Sequence, residues 1–298
     1  MLSITEALAL SKKLADHSTS PRIDCEVILS AAIEQTRTYL YTWPEKILSD
    51  HQQKTFLHNL HRRISGEPIA YIVGQKEFWS LPLSVNESTL IPRPESELLV
   101  EVTLELLSDV SAESLPAIKI ADLGTGSGAI ALALASENLQ WQVWGLENNK
   151  NALELAKKNQ QQLGLANVTL LLSDWFSALA NKASHTRFVE ESPQELDQKF
   201  NVIVSNPPYI DRSDRHLQEG DVRFEPLSAL VAGNHGLADI EDIIKQASAY
   251  LLPGGWLVFE HGNQQAEAVA GCLKKYSFRE VFTRNDLAGH PRVTGAQL

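Results

Sequence analysis

From Ile118 to the C-terminus, short apolar runs alternate with longer amphipathic ones, and few architectures accommodate that order. Ile118–Leu123, Val143–Leu146, Val168–Leu172, Phe200–Val204 and Trp256–Phe259 read as strands. Ile130–Ala135, Ala152–Leu163, Ile240–Leu251 and Ala266–Tyr276 read as helices between and after them. Such alternation predicts an α/β fold, a mostly parallel sheet with helices on both faces. Ligands of such sheets bind beyond the carboxyl ends of the strands. Residues 177–199, rich in polar and charged types, read as a surface insertion.

The first 65 residues have a different texture. Ser3 with Glu6 forms a potential capping box. Cys25, Ile28, Leu29, Ala32 and Ile33 recur at helical spacing, and Phe56, Leu57, Leu60 and Ile64 repeat the pattern after a cap at Ser49. A small helical domain is expected over residues 1–70. Ala70–Val73 and Phe78–Leu81, separated by Gly74, read as a β-hairpin linker within 71–92. Pro92 and Pro94 then start a helix with Leu98, Leu99, Val102 and Leu106 inside, opening a main domain over 93–298.

Charge narrows the partners. The net charge is −11. Acidic and basic residues balance over residues 1–85, so the whole excess lies in 86–298. A surface that grips a phosphate backbone is usually basic, which argues against direct nucleic-acid binding. With 43% apolar and 21% charged residues the chain suits a folded protein and not a disordered one. No apolar run approaches the ~20 residues of a membrane span. Met1–Glu6 lacks the basic start of a secretory signal. Cys25 and Cys272 lie far apart, with no CxxC pair, so neither a disulfide framework nor a structural zinc site is expected. A cytoplasmic location fits this cysteine usage. With no heptad pattern, a monomer is expected.

Asp122-Leu123-Gly124-Thr125-Gly126-Ser127-Gly128 follows a strand and opens a helix. Glycines there permit a tight turn and close backbone approach to a ligand. The spacing is GxGxG, not the GxGxxG of dinucleotide binders. Glu147 ends the next strand, where a carboxylate can accept both hydroxyls of a ribose. Together these favour the adenosyl group of S-adenosyl-L-methionine (AdoMet) over NAD. The bland alternative is a turn whose glycines serve packing alone. Asp174-Trp175 ends the third strand and suits the adenine, the carboxylate accepting from the exocyclic amine and the indole offering a packing surface.

Ser205-Asn206-Pro207-Pro208-Tyr209 follows the apolar strand ending at Val204. Two prolines fix φ and remove two backbone donors. Backbone carbonyls and the Asn206 side chain then form an array of acceptors beside an aromatic ring. That array suits a flat NH₂ group, which needs two acceptors and a stacking surface. Taken alone, a Pro-Pro turn closing a strand would be packing.

With the glycine turn, the strand-end acid and Ser173-Asp174-Trp175-Phe176, the Asn-Pro-Pro-Tyr motif resembles a class I AdoMet-dependent methyltransferase, with its Rossmann-like fold, acting on a planar amino group. Gly66–Tyr71, Glu77-Phe78-Trp79, Leu90–Glu97 and Asp221–Pro226 extend the resemblance over nearly the whole chain, to the peptide chain release factor glutamine N5-methyltransferases (the PrmC/HemK family). The resemblance implies methyl transfer to the glutamine of the Gly-Gly-Gln motif in class 1 release factors, without a metal. It also implies a substrate-recognition role for the helical domain. By position, Gly124, Thr125, Gly126, Ser127 and Gly128 would cradle AdoMet, with Glu147 on the ribose, and Asp174 and Trp175 near the adenine. Asn206, Pro207, Pro208 and Tyr209 would hold the glutamine, with Asn206 also adjoining AdoMet. Catalysis would rest on Asn206 and the Pro207 carbonyl accepting from the amide, with Tyr209 stacked on it.

The chain departs from that pattern in two places: the ribose acid is more often Asp, and 177–199 is long. Two rival readings fit the same residues. One is a nucleic-acid methyltransferase acting on an exocyclic base amine. The other is a non-catalytic AdoMet-binding module, which the intactness of both motifs disfavours. His58 and His61 share a helix face without a third ligand and read as solvated. Arg212 and Arg215 follow the Asn-Pro-Pro-Tyr motif closely and could dock a protein substrate; with Arg223 they read first as a solvated face.

Overall fold

The computed structural model describes residues 1–108, 118–180 and 199–298. The chain divides into two units, 1–75 with 85–87 and 215–225, and 76–84 with 88–214 and 226–298. Most of the polar stretch read as an insertion, 181–198, lies outside the described residues.

In the first unit, α1 (Ile4–Ala9) starts at a capping box: Ser3 Oγ accepts from Glu6 N and the Glu6 carboxylate accepts from Ser3 N. Next come α2 (Pro21–Ile33), α3 (Arg37–Thr42) and α4 (Asp50–Ile64). A second capping box, Ser49 with Gln52, starts α4. Cys25, Ile28, Leu29, Ala32 and Ile33 of α2 pack with Phe56 and Leu60 of α4 in one core. Leu57 does not join them. It is 39% exposed, since the residue after Phe56 turns away by about 100° around the helix.

The expected hairpin is displaced. Ile69–Val73 forms α5, and Gly74 ends it in the left-handed conformation (φ 72°) as a helix cap. The strands are β1 (Gln75–Phe78) and β2 (Leu81–Ser84). Their turn is Trp79-Ser80, with φ of 52° and 59°. Neither residue is Gly, Asn or Asp, so the usual signal for such a turn is missing.

Within the second unit, a 3₁₀ turn (Pro94–Ser96) leads into α6 (Glu97–Leu107), so Pro92 precedes the helix and does not start it. Leu99, Val100, Val102 and Leu107 are its buried apolar residues, while Leu98 and Leu106 are only partly buried. Then follow β3 (Lys119–Leu123), α7 (Ala129–Glu137), β4 (Gln142–Glu147), α8 (Lys150–Leu163), β5 (Val168–Leu172) and a single turn α9 (Ser177–Ala180). After β6 (Phe200–Ser205) come β7 (Ile210–Asp211), β8 (Val231–Ala232) and the short α10 (Gly233–Gly236). The chain closes with α11 (Ala238–Ala247), β9 (Leu251–Glu260), α12 (Ala266–Lys275), β10 (Arg279–Asn285) and β11 (Pro291–Gln297).

The main sheet has the order β10-β11-β9-β6-β3-β4-β5. The strands from β9 to β5 are parallel, while β11 runs antiparallel to both β9 and β10. Alternate residues serve opposite faces. Ile120, Val202, Val204 and Val258 face one core, and Ala121, Leu123, Ile203, Leu257 and Phe259 face the other. The expected helix Ile240–Leu251 ends at Ala247 instead, because Leu251 is needed as a strand partner of Phe200.

Register sets the site. Leu123 pairs with both Leu146 and Ser205, and Glu147 pairs with Leu172. Four parallel strands therefore end at one level, and the loops after β3, β4, β5 and β6 emerge side by side. Among the described residues no helix is long and apolar enough to cross a membrane.

Candidate active site

The loop after β3 folds back over β4. Gly124 N and Thr125 N both donate to the Leu146 carbonyl, at 2.8 and 3.1 Å. Gly124 and Gly126 take φ of 72° and 58°, values that cost most side chains energy. A Cβ on Gly124 would stand 3.4 Å from Trp175 Cζ3, so the indole lies against the bare turn. Below it, Thr125 Oγ1 donates to Asp122 Oδ2 at 2.6 Å, and Ala131 N donates to the same oxygen at 3.1 Å. Asp122 is fully buried, and burial pushes its carboxyl up to about 7. Gly145 leaves room for Thr125, whose Oγ1 and Cγ2 would lie 3.1 Å from an added Cβ.

The acid at the end of β4 is tied into the turn. Gly126 N donates to Glu147 Oε2 and Asn149 N to Glu147 Oε1, each at 2.8 Å. A carboxylate oxygen carries two lone pairs, so each oxygen can accept one more donor. Asn149 also caps α8 through its side chain. After β5, the Ser173 hydroxyl donates to the Trp175 carbonyl at 2.6 Å and holds Trp175 at a φ of 43°.

The Asn-Pro-Pro-Tyr segment leaves the end of β6, where Ser205 Oγ donates to the Leu123 carbonyl at 2.8 Å. Asn206 Nδ2 donates to Ser96 Oγ at 3.2 Å. This fixes Nδ2 on Ser96 and leaves Oδ1 as the branch available to a ligand. The Tyr209 hydroxyl lies 3.5 Å from Glu260 Oε1, and burial raises its pKa. The Tyr209 carbonyl accepts from Gln265 Nε2 at 3.0 Å. Gly236, at a φ of 83°, packs so closely that a Cβ there would sit 2.0 Å from that carbonyl oxygen.

One cleft of about 220 Å³ gathers most of the expected residues: Gly124, Thr125, Gly126, Ser127, Glu147, Asp174, Trp175, Asn206 and Pro208 all line it. Gly128 belongs to the helix start instead, where a Cβ would meet Leu132 Cδ1 at 2.9 Å. Pro207 is buried and Tyr209 half-buried, and neither lines the cleft; the Tyr209 hydroxyl points to Glu260. His58, His61, Arg212 and Arg215 are exposed.

Sequence reasoning assigned no role to Ser96, Asp239 or Glu260. Ser96 and Asp239 line the cleft. Asp239 is raised by burial and by the neighbouring Asp242 and Asp174. Glu260 is buried at the end of β9, and burial pushes its carboxyl up to about 7 against the pull of Ser96, Arg292 and Tyr209. Beside it, His261 Nδ1 lies 2.8 Å from the Gly262 carbonyl, so that nitrogen is the donor, and Nε2 faces Thr294 Oγ1 at 2.7 Å. Ser96 stands inside the Leu90–Glu97 segment already singled out, but only its contact with Asn206 reveals a role.

Comparison with known proteins supplies the family. Residues 8–74 match the family described as PrmC N-terminal domain, and residues 115–287 match a family described as Methyltransferase domain. The chain is 46% identical to the release factor glutamine methyltransferase of Shewanella oneidensis, over 98% of this chain and 94% of that one. It is also 46% identical to the protein of that name from Escherichia coli, over 93% and 92%. The chain belongs to the release factor glutamine methyltransferase family. Among solved structures, this methyltransferase resembles human methyltransferase 10 domain containing protein, with a TM-score of 0.51 and 16% identity, over 74% of this chain and 88% of that one. That likeness shows the class I methyltransferase fold alone.

Proposed function

We propose that this enzyme transfers a methyl group from AdoMet to N5 of the glutamine in the Gly-Gly-Gln motif of class 1 peptide chain release factors. The observation that carries the reading is the orientation of Asn206. Its amide nitrogen is engaged by Ser96, so its oxygen is the end presented to a ligand, in the same cleft as the glycine turn. An oxygen there selects a donor such as a primary amide NH₂.

The cleft fits AdoMet chemically. Backbone of Gly124–Ser127 would hold it, Glu147 would accept from the ribose hydroxyls, and Trp175 with Asp174 would meet the adenine. The bareness of Gly124 against the indole supports this, since a side chain there would close the space beside Trp175. When bound, AdoMet supplies a methyl group already activated on a sulfonium, so no metal is required.

The protein's share is positioning and charge. An amide nitrogen is a weak nucleophile because its lone pair is delocalised into the carbonyl. Asn206 Oδ1 and the Pro207 carbonyl accept from the two amide hydrogens and hold the nitrogen in line for transfer. The same acceptors stabilise the positive charge that develops on that nitrogen. The proton then leaves to water or a weak acceptor, and no strong base is assigned. Tyr209, steadied by Glu260 and Gln265, offers its ring to the amide plane. The enzyme acts as a monomer in the cytoplasm, without direct contact to nucleic acid or membrane.

Labelled AdoMet offered to a purified class 1 release factor tests this reading. Label is expected on the normal factor and not on one whose Gly-Gly-Gln glutamine is changed to alanine. Equal labelling of both, or label on RNA or DNA alone, would refute it.

A further inference from the structure

We propose that Ser96 is a positioning residue that fixes which end of the Asn206 amide faces the substrate. This deepens the reading above, in which Asn206 Oδ1 accepts from the glutamine amide. The two ends of an asparagine amide are nearly equal in size, so only their partners decide which way the group turns. Presented with its NH₂ end outward, Asn206 would set donor against donor and hold no substrate amide.

Ser96 stands at the N-terminus of α6, a position where serine usually caps the helix through its side chain. Here it makes no such cap. Its hydroxyl is buried and accepts from Asn206 Nδ2 at 3.2 Å instead. A hydroxyl has one proton and two lone pairs. The Glu260 carboxyl neighbours Ser96, which favours its charged form against the effect of burial. Because the Ser96 oxygen accepts from Nδ2, it holds that end of the Asn206 amide. Oδ1 is thereby turned outward. The groups around Glu260 are Ser96, Tyr209, Arg292 and Glu95. Arg292 keeps a positive charge beside the carboxyl and so helps it hold the acceptor role.

The test compares Ser96→Ala with Ser96→Thr. Ser96→Ala is expected to lower kcat for glutamine methylation roughly five- to tenfold, the weight of one net hydrogen bond. AdoMet affinity is expected to stay within about twofold, and Ser96→Thr, which keeps the hydroxyl, should recover most of the loss. The side-chain NH₂ resonances of Asn206 should also shift or broaden in Ser96→Ala, a signature that a merely packing role would not produce. If Ser96→Ala does not fold, Ser96→Cys, close in volume with a weakly accepting sulfur, carries the same comparison. Full kcat in the Ser96 variants, beside an Asn206→Ala enzyme that has lost transfer, would overturn the role of Ser96 alone. Retained transfer in Asn206→Ala would instead overturn the reading on which it rests.

Discussion

Gly126 N donates to Glu147 Oε2 across 2.8 Å, so the acid at the end of β4 braces the glycine turn after β3. The longer side chain of Glu147 explains how this is done. Its oxygens reach two backbone donors, Gly126 and Asn149, and still keep lone pairs for a ribose. Glu147→Asp, one methylene shorter, should lose the Gly126 bond and weaken AdoMet binding about fivefold, while Glu147→Ala should weaken it by tenfold or more. Titration calorimetry checks this. Unchanged affinity in Glu147→Ala would remove the residue from the AdoMet site.

Gly236 supports the acceptor loop from behind. An alanine there would need a Cβ 2.0 Å from the Tyr209 carbonyl, at a φ of 83°. Gly236→Ala should therefore displace Tyr209 and cut methyl transfer by roughly tenfold or more. Gly74→Ala is the control, since nothing lies within 4 Å of a Cβ there. It should cost only about 1 kcal/mol, from the positive φ alone. Similar activity losses in both variants would sink the argument from contact.

Asp122 and Glu260 give the fold an unusual pH response. Burial raises both carboxyls to about 7, above their ordinary values. The folded state therefore binds these protons more tightly than the unfolded chain. Their contribution to stability is full below about pH 4 and is lost as pH rises through about 7. Asp122→Asn removes one of the two and should flatten the fall in the urea midpoint between pH 5 and pH 8. A variant with the slope of the parent would show that Asp122 is already charged at low pH.

The helical unit holds a buried ion pair. Arg63 Nε lies 2.7 Å from Asp24 Oδ2, with side chains 11% and 9% exposed. Arg63 also donates to the Glu67 carbonyl at 3.0 Å. Asp24→Ala leaves the guanidinium short of its main partner and should cost about 3 kcal/mol in denaturant unfolding. A loss below about 1 kcal/mol, the range of exposed pairs, would show that water replaces the carboxylate.

Much of this was legible in the sequence because burial writes periodicity. The parallel strands are mostly apolar in their interiors, and the α2 face is a helical stripe. The antiparallel β10 went unseen because Arg279–Asn285 is largely solvent-facing and carries charges at several positions, and β11 because its buried Thr294, Gly295 and Ala296 are small and interrupt any apolar run. The linker misled for a local reason. Gly74 looks like a hairpin turn, yet it caps a helix, while the true turn uses Trp79 and Ser80. In the site, the glycine turn and Asn206 announce themselves by motif. Ser96 and Glu260 do not, since each acts through a neighbour 110 or 51 positions away in the chain.

The central claim is a division of labour, with the glycine turn and Glu147 holding AdoMet and Asn206 activating the amide. Single-turnover methyl transfer and AdoMet affinity, measured together in Asn206→Ala, test it most directly. Transfer should fall at least about 100-fold, the usual weight of an electrostatic donor or acceptor at a reacting centre, while AdoMet affinity stays within about twofold. Equal loss of both, or transfer at the parent rate, would contradict it.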